Sequence, residues 1–82
     1  MLKTFHRDSF VEYATWIVLD AEIFKRINDL LKNIELNGTL GEPERLERKN
    51  CWSRRITDEH RLLYNVIGEN IYVIACSGHY ED

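Results

Sequence analysis

The sequence lacks a long apolar run and paired cysteines, and each absence argues against a class of protein. No stretch of its 82 residues approaches the roughly 20 apolar residues needed to span a bilayer. The first residues include Lys3, His6 and Arg7 and contain no apolar run of a secretory signal. Cys51 and Cys76 stand alone, with no Cys-x-x-Cys pair to suggest a disulfide framework. We therefore expect a cytoplasmic protein without a membrane partner.

The histidines are few and scattered along the chain. His6, His60 and His79 show no spacing typical of metal ligands, and no cysteine pair supports them. The sequence therefore predicts neither a bound metal ion nor another cofactor.

An excess of positive charge is also missing, since the formal net charge is −3. Affinity for nucleic-acid backbones comes mainly from Lys and Arg, so the total alone argues against a nucleic-acid binder. The distribution differs from the total, because the segment 45–61 carries six cations and three anions. This basic segment is either a solvated strand pair with edge-protecting charges or a binding surface.

The first half of the sequence has the pattern of one short strand and two helices. An opening strand at 2–5 precedes the segment Ser9-Phe10-Val11-Glu12, whose form is that of a capping box and predicts the start of a helix. Asp20 is expected to cap a second helix, and Asn37-Gly38 to end it.

In the second half the hydrophobic period changes from helical to alternating. This change predicts strands at about 50–56, 61–67 and 71–77. The order of elements indicates a single α+β domain over residues 1–82, in which a two-helix hairpin packs on one face of an antiparallel β-sheet.

Polar side chains on two of these strands are expected to meet. The segment from Ile67 to Ile71 has the form of a three-residue hairpin loop that pairs its two ends. Counting back from that pair places Arg61 opposite Ser77, with His79 diagonal to Arg61 on the same face. We therefore expect Arg61 and His79 to be neighbours.

The preceding hairpin leaves one alternative open. The loop 57–60 permits two registers, and a slip of one residue exchanges Arg54 for Arg55 on the face of Arg61. Guanidinium groups bind phosphate oxygens in a fork geometry, and histidine changes charge near neutral pH. The grouping therefore suits chemistry on a phosphate, with Arg54 or Arg55 as a substrate-binding residue.

A family resemblance is carried by the run Trp-Ser-Arg-Arg-Ile-Thr-Asp-Glu-His-Arg-Leu-Leu-Tyr at 52–64 and by the terminal His79-Tyr80. Together with Gly-Glu-Pro-Glu-Arg-Leu at 41–46, these segments resemble the YoeB/Txe family of RelE-like toxins. The match covers nearly the whole chain. It implies a RelE-like fold, which is similar to that of small microbial ribonucleases.

The resemblance implies a ribosome-dependent endoribonuclease that cleaves messenger RNA in the decoding site without a metal ion. By similarity, Glu44 is the general base, His79 the general acid and Arg61 the cation that stabilises the phosphate. Tyr80 is implied to orient the site, with Arg55 assisting. The implied partners are the ribosome, messenger RNA and an inhibitory antitoxin of the YefM/Axe type, and a homodimer is also possible.

The chain departs from the family pattern upstream of the run at 52–64. Arg45 stands where the family often has proline, the loop 46–52 is about two residues shorter, and Glu47 replaces an expected basic residue. We expect Arg48 and Lys49 to bind the substrate instead.

At the other end, Glu81 and Asp82 follow the tyrosine at which the family usually stops, and their charges are expected to weaken RNA binding. The alternative is a catalytically inactive RelE-fold protein that acts as an antitoxin-binding or regulatory interaction module.

Overall fold

The computed structural model describes residues 1–38 and 43–80, which form two helices and one mixed sheet. The strands lie side by side in the order β1, β5, β4, β3, β2. This arrangement confirms the predicted α+β class. In chain order the elements are β1 (Leu2–Phe5), α1 (Arg7–Leu19), α2 (Ala21–Asn37), β2 (Glu44–Leu46), β3 (Cys51–Arg55), β4 (Arg61–Ile67) and β5 (Asn70–Ala75).

The sheet departs from the antiparallel prediction at one edge. β1 lies parallel to β5, with Leu2 beside Asn70 and Phe5 beside Val73. The other three strand pairs are antiparallel. A parallel pair needs a long connection between its strands, and every other element lies between β1 and β5 in the chain. No local turn signal marks such a distant pairing, so the sequence pattern did not identify it.

Helix α2 packs on the sheet through an apolar stripe. Ile23, Ile27, Leu31 and Ile34 recur every three or four residues, and all four are buried. The Asp20 carboxylate accepts hydrogen bonds from two N–H groups of the first turn, at 3.1 and 3.3 Å. The prediction that Asp20 caps this helix is therefore confirmed.

Helix α1 begins at Arg7, so the prediction of a capping box starting at Ser9 was wrong. Ser9 is fully buried inside the helix, and its hydroxyl donates to the carbonyl oxygen of Val73 on β5 at 2.8 Å. The Glu12 carboxylate accepts from the N–H of Cys76 at 2.8 Å. Both side chains connect α1 to β5 and its C-terminal extension, a use that the local sequence does not distinguish from capping.

The strand β2 was not predicted, because three residues are too few to show an alternating period. A turn over residues 47–50 joins β2 to β3, and the N–H of Asn50 donates to the carbonyl of Glu47 at 3.1 Å. Asn50 has a φ of +52°, a left-handed conformation that asparagine adopts more readily than most residues. The loop that looked short in sequence is therefore a tight hairpin.

The turn between β4 and β5 is one residue shorter than predicted. Ile67 pairs with Asn70 rather than with Ile71, which leaves a two-residue loop. Gly68 in this loop has a φ of +59°, as two-residue hairpin turns require.

A bulge further along the same strand pair cancels this error. A shift of register between Leu63 and Tyr64 pairs Leu63 with Ala75. The predicted register therefore holds at Leu63, although the predicted loop was wrong. Regular pairing of β5 ends at Ala75, and the N–H of Arg61 donates to the carbonyl of Gly78 at 2.9 Å. Arg61 thus lies beside Gly78, and the prediction that it lies opposite Ser77 was wrong by one residue.

The helices cover one face of the sheet and leave the other open. The open face carries a small buried cluster of Leu46, Cys51, Leu63 and Ala75, against which Tyr80 packs. The main core, on the covered face, consists of Ile23, Ile27, Leu31, Ile34, Ile56, Leu62, Tyr64, Ile71, Val73 and Cys76.

Neither α1 nor α2 is long and apolar enough to cross a membrane, and the described residues offer no other such span.

Candidate active site

Strand pairing places several of the predicted site residues on the open face. Glu44 lies opposite Ser53, which in turn lies opposite Leu63 of the open-face cluster. Two residues along, Arg55 lies opposite Arg61. Because side chains alternate along a strand, all of these residues point to the side of the sheet without helices.

Arg61 and Glu44 form an ion pair across this face. The distance from Arg61 Nη1 to Glu44 Oε2 is 3.7 Å, and the side chains are 22% and 56% exposed, respectively. Within the described residues, two buried polar atoms on this face make no hydrogen bond, Arg61 Nε and Ser53 Oγ. A half-buried guanidinium next to an exposed carboxylate is suited to hold an anionic group beside a base.

Ser53 was not among the residues predicted from sequence. It is 1% exposed and occupies a strand position where an apolar side chain would be expected. Its position opposite Leu63 could not be foreseen, because the sequence left the register of this hairpin open.

The two adjacent arginines of β3 lie on opposite faces, which settles the register left open by the sequence. Arg55 is exposed on the face of Arg61 and forms an ion pair with Asp58 at 3.2 Å. Arg54 lies on the covered face, where Nη1 donates to Asn33 Oδ1 of α2 at 3.0 Å. Arg54 is therefore held away from Glu44 and Arg61.

Arg54 also acts on a buried phenol of the core. Burial raises the pKa of Tyr64, and the positive charge of Arg54 opposes that rise. The contacts of Arg54 therefore indicate that it stabilises the covered face.

Gly78 brings the end of the chain to the start of β4. Its carbonyl accepts from the N–H of Arg61 at 2.9 Å, and its own N–H donates to Nδ1 of His60 at 3.0 Å. Gly78 has a φ of +95°, which side chains with a Cβ rarely adopt. His79, the next residue, is exposed to solvent. His79 therefore directly follows a residue whose carbonyl is hydrogen-bonded to Arg61.

Tyr80 folds back onto the open face. Its ring packs against the cluster of open-face side chains and lies 5.9 Å from Nζ of Lys49. Burial raises the pKa of the Tyr80 phenol, with the charges of Glu12 and Cys76 acting in the same direction. The phenol is therefore a neutral hydrogen-bond donor near neutral pH.

The remaining cations lie in the hairpin between β2 and β3. Arg48 and Lys49 occupy its exposed turn, and Lys49 lies near Tyr80. Arg45 instead lies on the other side of β2, with its guanidinium 5.2 Å from the centre of the Trp52 ring. The guanidinium of Arg45 therefore lies away from the open face.

Two further predictions concern the end of the chain and metal binding. Glu81 and Asp82 lie outside the described residues. Across residues 1–38 and 43–80, no three His, Cys, Asp or Glu side chains come together as a metal ion would require.

Comparison with known proteins shows that the chain is similar to the members of one family. The family model described as a YoeB-like toxin of a bacterial type II toxin-antitoxin system matches residues 5–80. Toxin YoeB from Escherichia coli strain K12 is 40% identical over 78 residues, covering 89% of this chain and 92% of that protein.

Solved structures agree in fold along almost the whole chain. The YoeB dimer from Staphylococcus aureus has a TM-score of 0.90 and 38% identity, and the match covers 98% of each chain. The YoeB-YefM complex from the same organism has a TM-score of 0.88 and 37% identity, covering 98% of this chain and 99% of that one. The likeness thus extends from β1 through the segment that follows β5.

Proposed function

The chain belongs to the YoeB-like toxin family of bacterial type II toxin-antitoxin systems, and from this premise we propose that it is an endoribonuclease that cleaves messenger RNA on the ribosome. The observation that carries the proposal is the ion pair between Arg61 and Glu44 at 3.7 Å on the open face, with Gly78 hydrogen-bonded to Arg61 immediately before His79.

The reaction proposed is an in-line displacement by the ribose 2'-hydroxyl on the adjacent phosphorus. Glu44 takes the proton of the hydroxyl as the bond from O2' to phosphorus forms. Arg61, assisted by Arg55, stabilises the negative charge of the phosphorane. His79 protonates the departing 5'-oxygen as its bond to phosphorus breaks, leaving a cyclic phosphate and a free 5'-hydroxyl. Tyr80 orients the site, and no step requires a metal ion.

The rate gain expected from proton transfer and the exposure of Glu44 both favour a reaction that depends on the ribosome. Each positioned proton transfer contributes roughly 10² to 10⁴ in rate. A solvent-exposed carboxylate such as Glu44, at 56% exposure, is a weak base in isolation. We therefore propose that the ribosome aligns the messenger RNA on the open face and that free RNA is cleaved weakly.

The proposed partner is a cognate antitoxin that resembles YefM. A groove of about 310 Å³ between α2 and β3 supports this partner, because it combines an apolar floor with three arginines. An acidic segment that becomes ordered on binding could lie in this groove and pair with these arginines. The groove is lined by Arg26, Asp29, Leu30, Asn33, Arg54, Arg55 and Ile56.

A homodimer is a second proposed assembly. Helix α1 exposes apolar side chains that a monomer has no need to display, and Val18 is 85% exposed. The solved YoeB dimer has the same fold as this chain. Phe10, Val11, Ile17, Val18 and Leu19 make up the exposed apolar surface of this helix.

The proposal is tested by primer extension on a defined messenger RNA, with and without assembled ribosomes. We expect the native chain to cut efficiently in the presence of ribosomes and only weakly without them. Glu44→Ala and His79→Gln should each lower cleavage by at least about 100-fold, the value of one proton transfer. Glu69→Ala, which removes an exposed carboxylate at the opposite end of β4, should cut like the native chain.

Two results would contradict this function. Cleavage of naked RNA at the ribosomal rate would remove the ribosome from the mechanism. Absence of cuts by the folded native chain would favour the alternative, a RelE-fold protein that binds an antitoxin without catalysis.

A further inference from the structure

We infer that His60 is a positioning residue, which holds the segment carrying His79 and Tyr80 in the geometry needed for cleavage. The inference rests on the proposed function, since it adds a residue to the same site. It begins from a contact that the mechanism above does not use, the hydrogen bond between the imidazole of His60 and the backbone of Gly78.

Both backbone groups of Gly78 are held by consecutive residues. The N–H of Gly78 donates to Nδ1 of His60 at 3.0 Å, and its carbonyl accepts from the N–H of Arg61 at 2.9 Å. Regular strand pairing in β5 ends at Ala75. The two bonds therefore replace the ladder that would otherwise position the end of the chain.

The contact requires one form of the imidazole. A backbone N–H can only donate, so Nδ1 of His60 must offer a lone pair and carry no proton. The ring is then neutral, with its proton on Nε2. An imidazolium, which has N–H groups at both positions, would lose the bond to Gly78.

Helix α1 fixes the ring of His60 and the chain before Gly78 together. The Trp16 ring meets His60 edge to face, with centroids 4.7 Å apart. Trp16 Nε1 donates to the carbonyl of Cys76 at 3.0 Å, while Glu12 accepts from the N–H of Cys76. Each polar backbone group of Cys76 and Gly78 thus has a partner that belongs to α1 or to residues 60–61.

The consequence for catalysis lies in the position of His79. This residue directly follows Gly78 and is exposed, so its backbone position is set by the bonds to Gly78. A misplacement of about 1 Å in a catalytic group can cost roughly 10² in rate. His60 therefore acts through His79, without touching the substrate itself.

The test compares His60→Ala with His60→Asn in cleavage of ribosome-bound messenger RNA. The side-chain oxygen of asparagine can occupy the position of Nδ1 and accept from Gly78, whereas alanine cannot. We expect His60→Ala to lower kcat by 10- to 100-fold with little change in KM. His60→Asn should recover most of the loss, to within about threefold of the native chain. His6→Ala, which removes an exposed histidine elsewhere, serves as the matched control and should be unchanged.

An NMR measurement on the isolated native chain reads the contact without reference to activity. The Nδ1 of His60 should have the chemical shift of an unprotonated ring nitrogen and show coupling to the Gly78 amide across the hydrogen bond. A protonated Nδ1 would overturn the inference, even if His60→Ala failed to fold.

Other outcomes also overturn the inference. These are cleavage by His60→Ala within twofold of the native rate, equal losses in the Ala and Asn variants, or a loss confined to KM. If the native chain itself fails to cleave on ribosomes, the proposed function fails, and the NMR result still shows separately whether His60 holds Gly78.

Discussion

Neighbouring residues with the same side chain have different surroundings in this molecule, and Arg54 and Arg55 illustrate this at the residue scale. Arg54 donates to Asn33 of α2, while Arg55 is exposed opposite Arg61. The composition of the segment shows only that it is basic. Strand register decides which cation faces a substrate, since one residue of slip exchanges the two faces.

This assignment predicts opposite effects for two alanine variants. Arg55→Ala should lower cleavage of ribosome-bound messenger RNA about 10-fold, the loss of one supporting charge. It should change stability little, because the ion pair of Arg55 with Asp58 is exposed. Arg54→Ala should lower the free energy of unfolding by about 1–2 kcal/mol, through loss of a charged hydrogen bond. It should leave cleavage nearly unchanged.

Urea unfolding combined with primer extension measures both effects in the same preparations. The reverse pattern, with cleavage lost in Arg54→Ala and stability lost in Arg55→Ala, would show that the faces of β3 are assigned wrongly.

At the scale of elements, the sequence predicted helices and strands that have a sustained hydrophobic period. It missed features that depend on contacts between residues far apart in the chain. Helix α2 and strand β4 have long patterns with clear ends, and both were identified. The strand β2 has three residues, which is too short for a pattern. The parallel pairing of β1 with β5 and the hydrogen bond that joins α1 to β5 are tertiary contacts, which leave no signal in the local sequence.

Substitutions of Ser9 test whether its hydroxyl caps α1 or connects the helix to β5. Aspartate caps helices as well as serine does, so Ser9→Asp should be tolerated at a cap. Buried against the Val73 carbonyl, an aspartate must lose the donor and bury a charge. We expect Ser9→Asp to lower the free energy of unfolding by at least about 3 kcal/mol, beyond the roughly 1–2 kcal/mol of Ser9→Ala.

Asp20→Ser is the matched control for this comparison, because Asp20 does cap a helix. It should change the free energy of unfolding by less than about 0.5 kcal/mol. Chemical denaturation of the three variants measures the differences, and a Ser9→Asp variant as stable as the native chain would restore the capping interpretation.

At the scale of the whole molecule, charge and topology together explain how the site is built. The net charge is −3, yet Arg61, Arg55, Arg48 and Lys49 are placed by β3, β4 and the turn 47–50 around one face. A net negative charge gives weak general attraction for RNA, which is consistent with the proposal that the ribosome presents the substrate.

The geometry of the candidate site could be predicted only in part. Counting along the β4–β5 hairpin gave the register of Leu63, because a wrong loop and an unpredicted bulge cancelled, and it placed Arg61 one residue away from its partner Gly78. The position of Glu44 depends on the unpredicted β2, and the role of His60 depends on a contact with Gly78 across the fold. Both require the assembled sheet, so the sequence pattern alone gave no signal for them.

If the open face promotes attack by a ribose 2'-hydroxyl, removing that hydroxyl from the messenger RNA should block cleavage at the altered bond. Ribosomes are loaded with a messenger RNA that carries a single 2'-deoxynucleotide on the 5' side of the main cleavage point. We expect cutting at this bond to fall by more than about 100-fold while other cuts remain, because Glu44 has no proton to remove. Undiminished cutting at the deoxynucleotide would show that the 2'-hydroxyl is not the nucleophile and would contradict the mechanism.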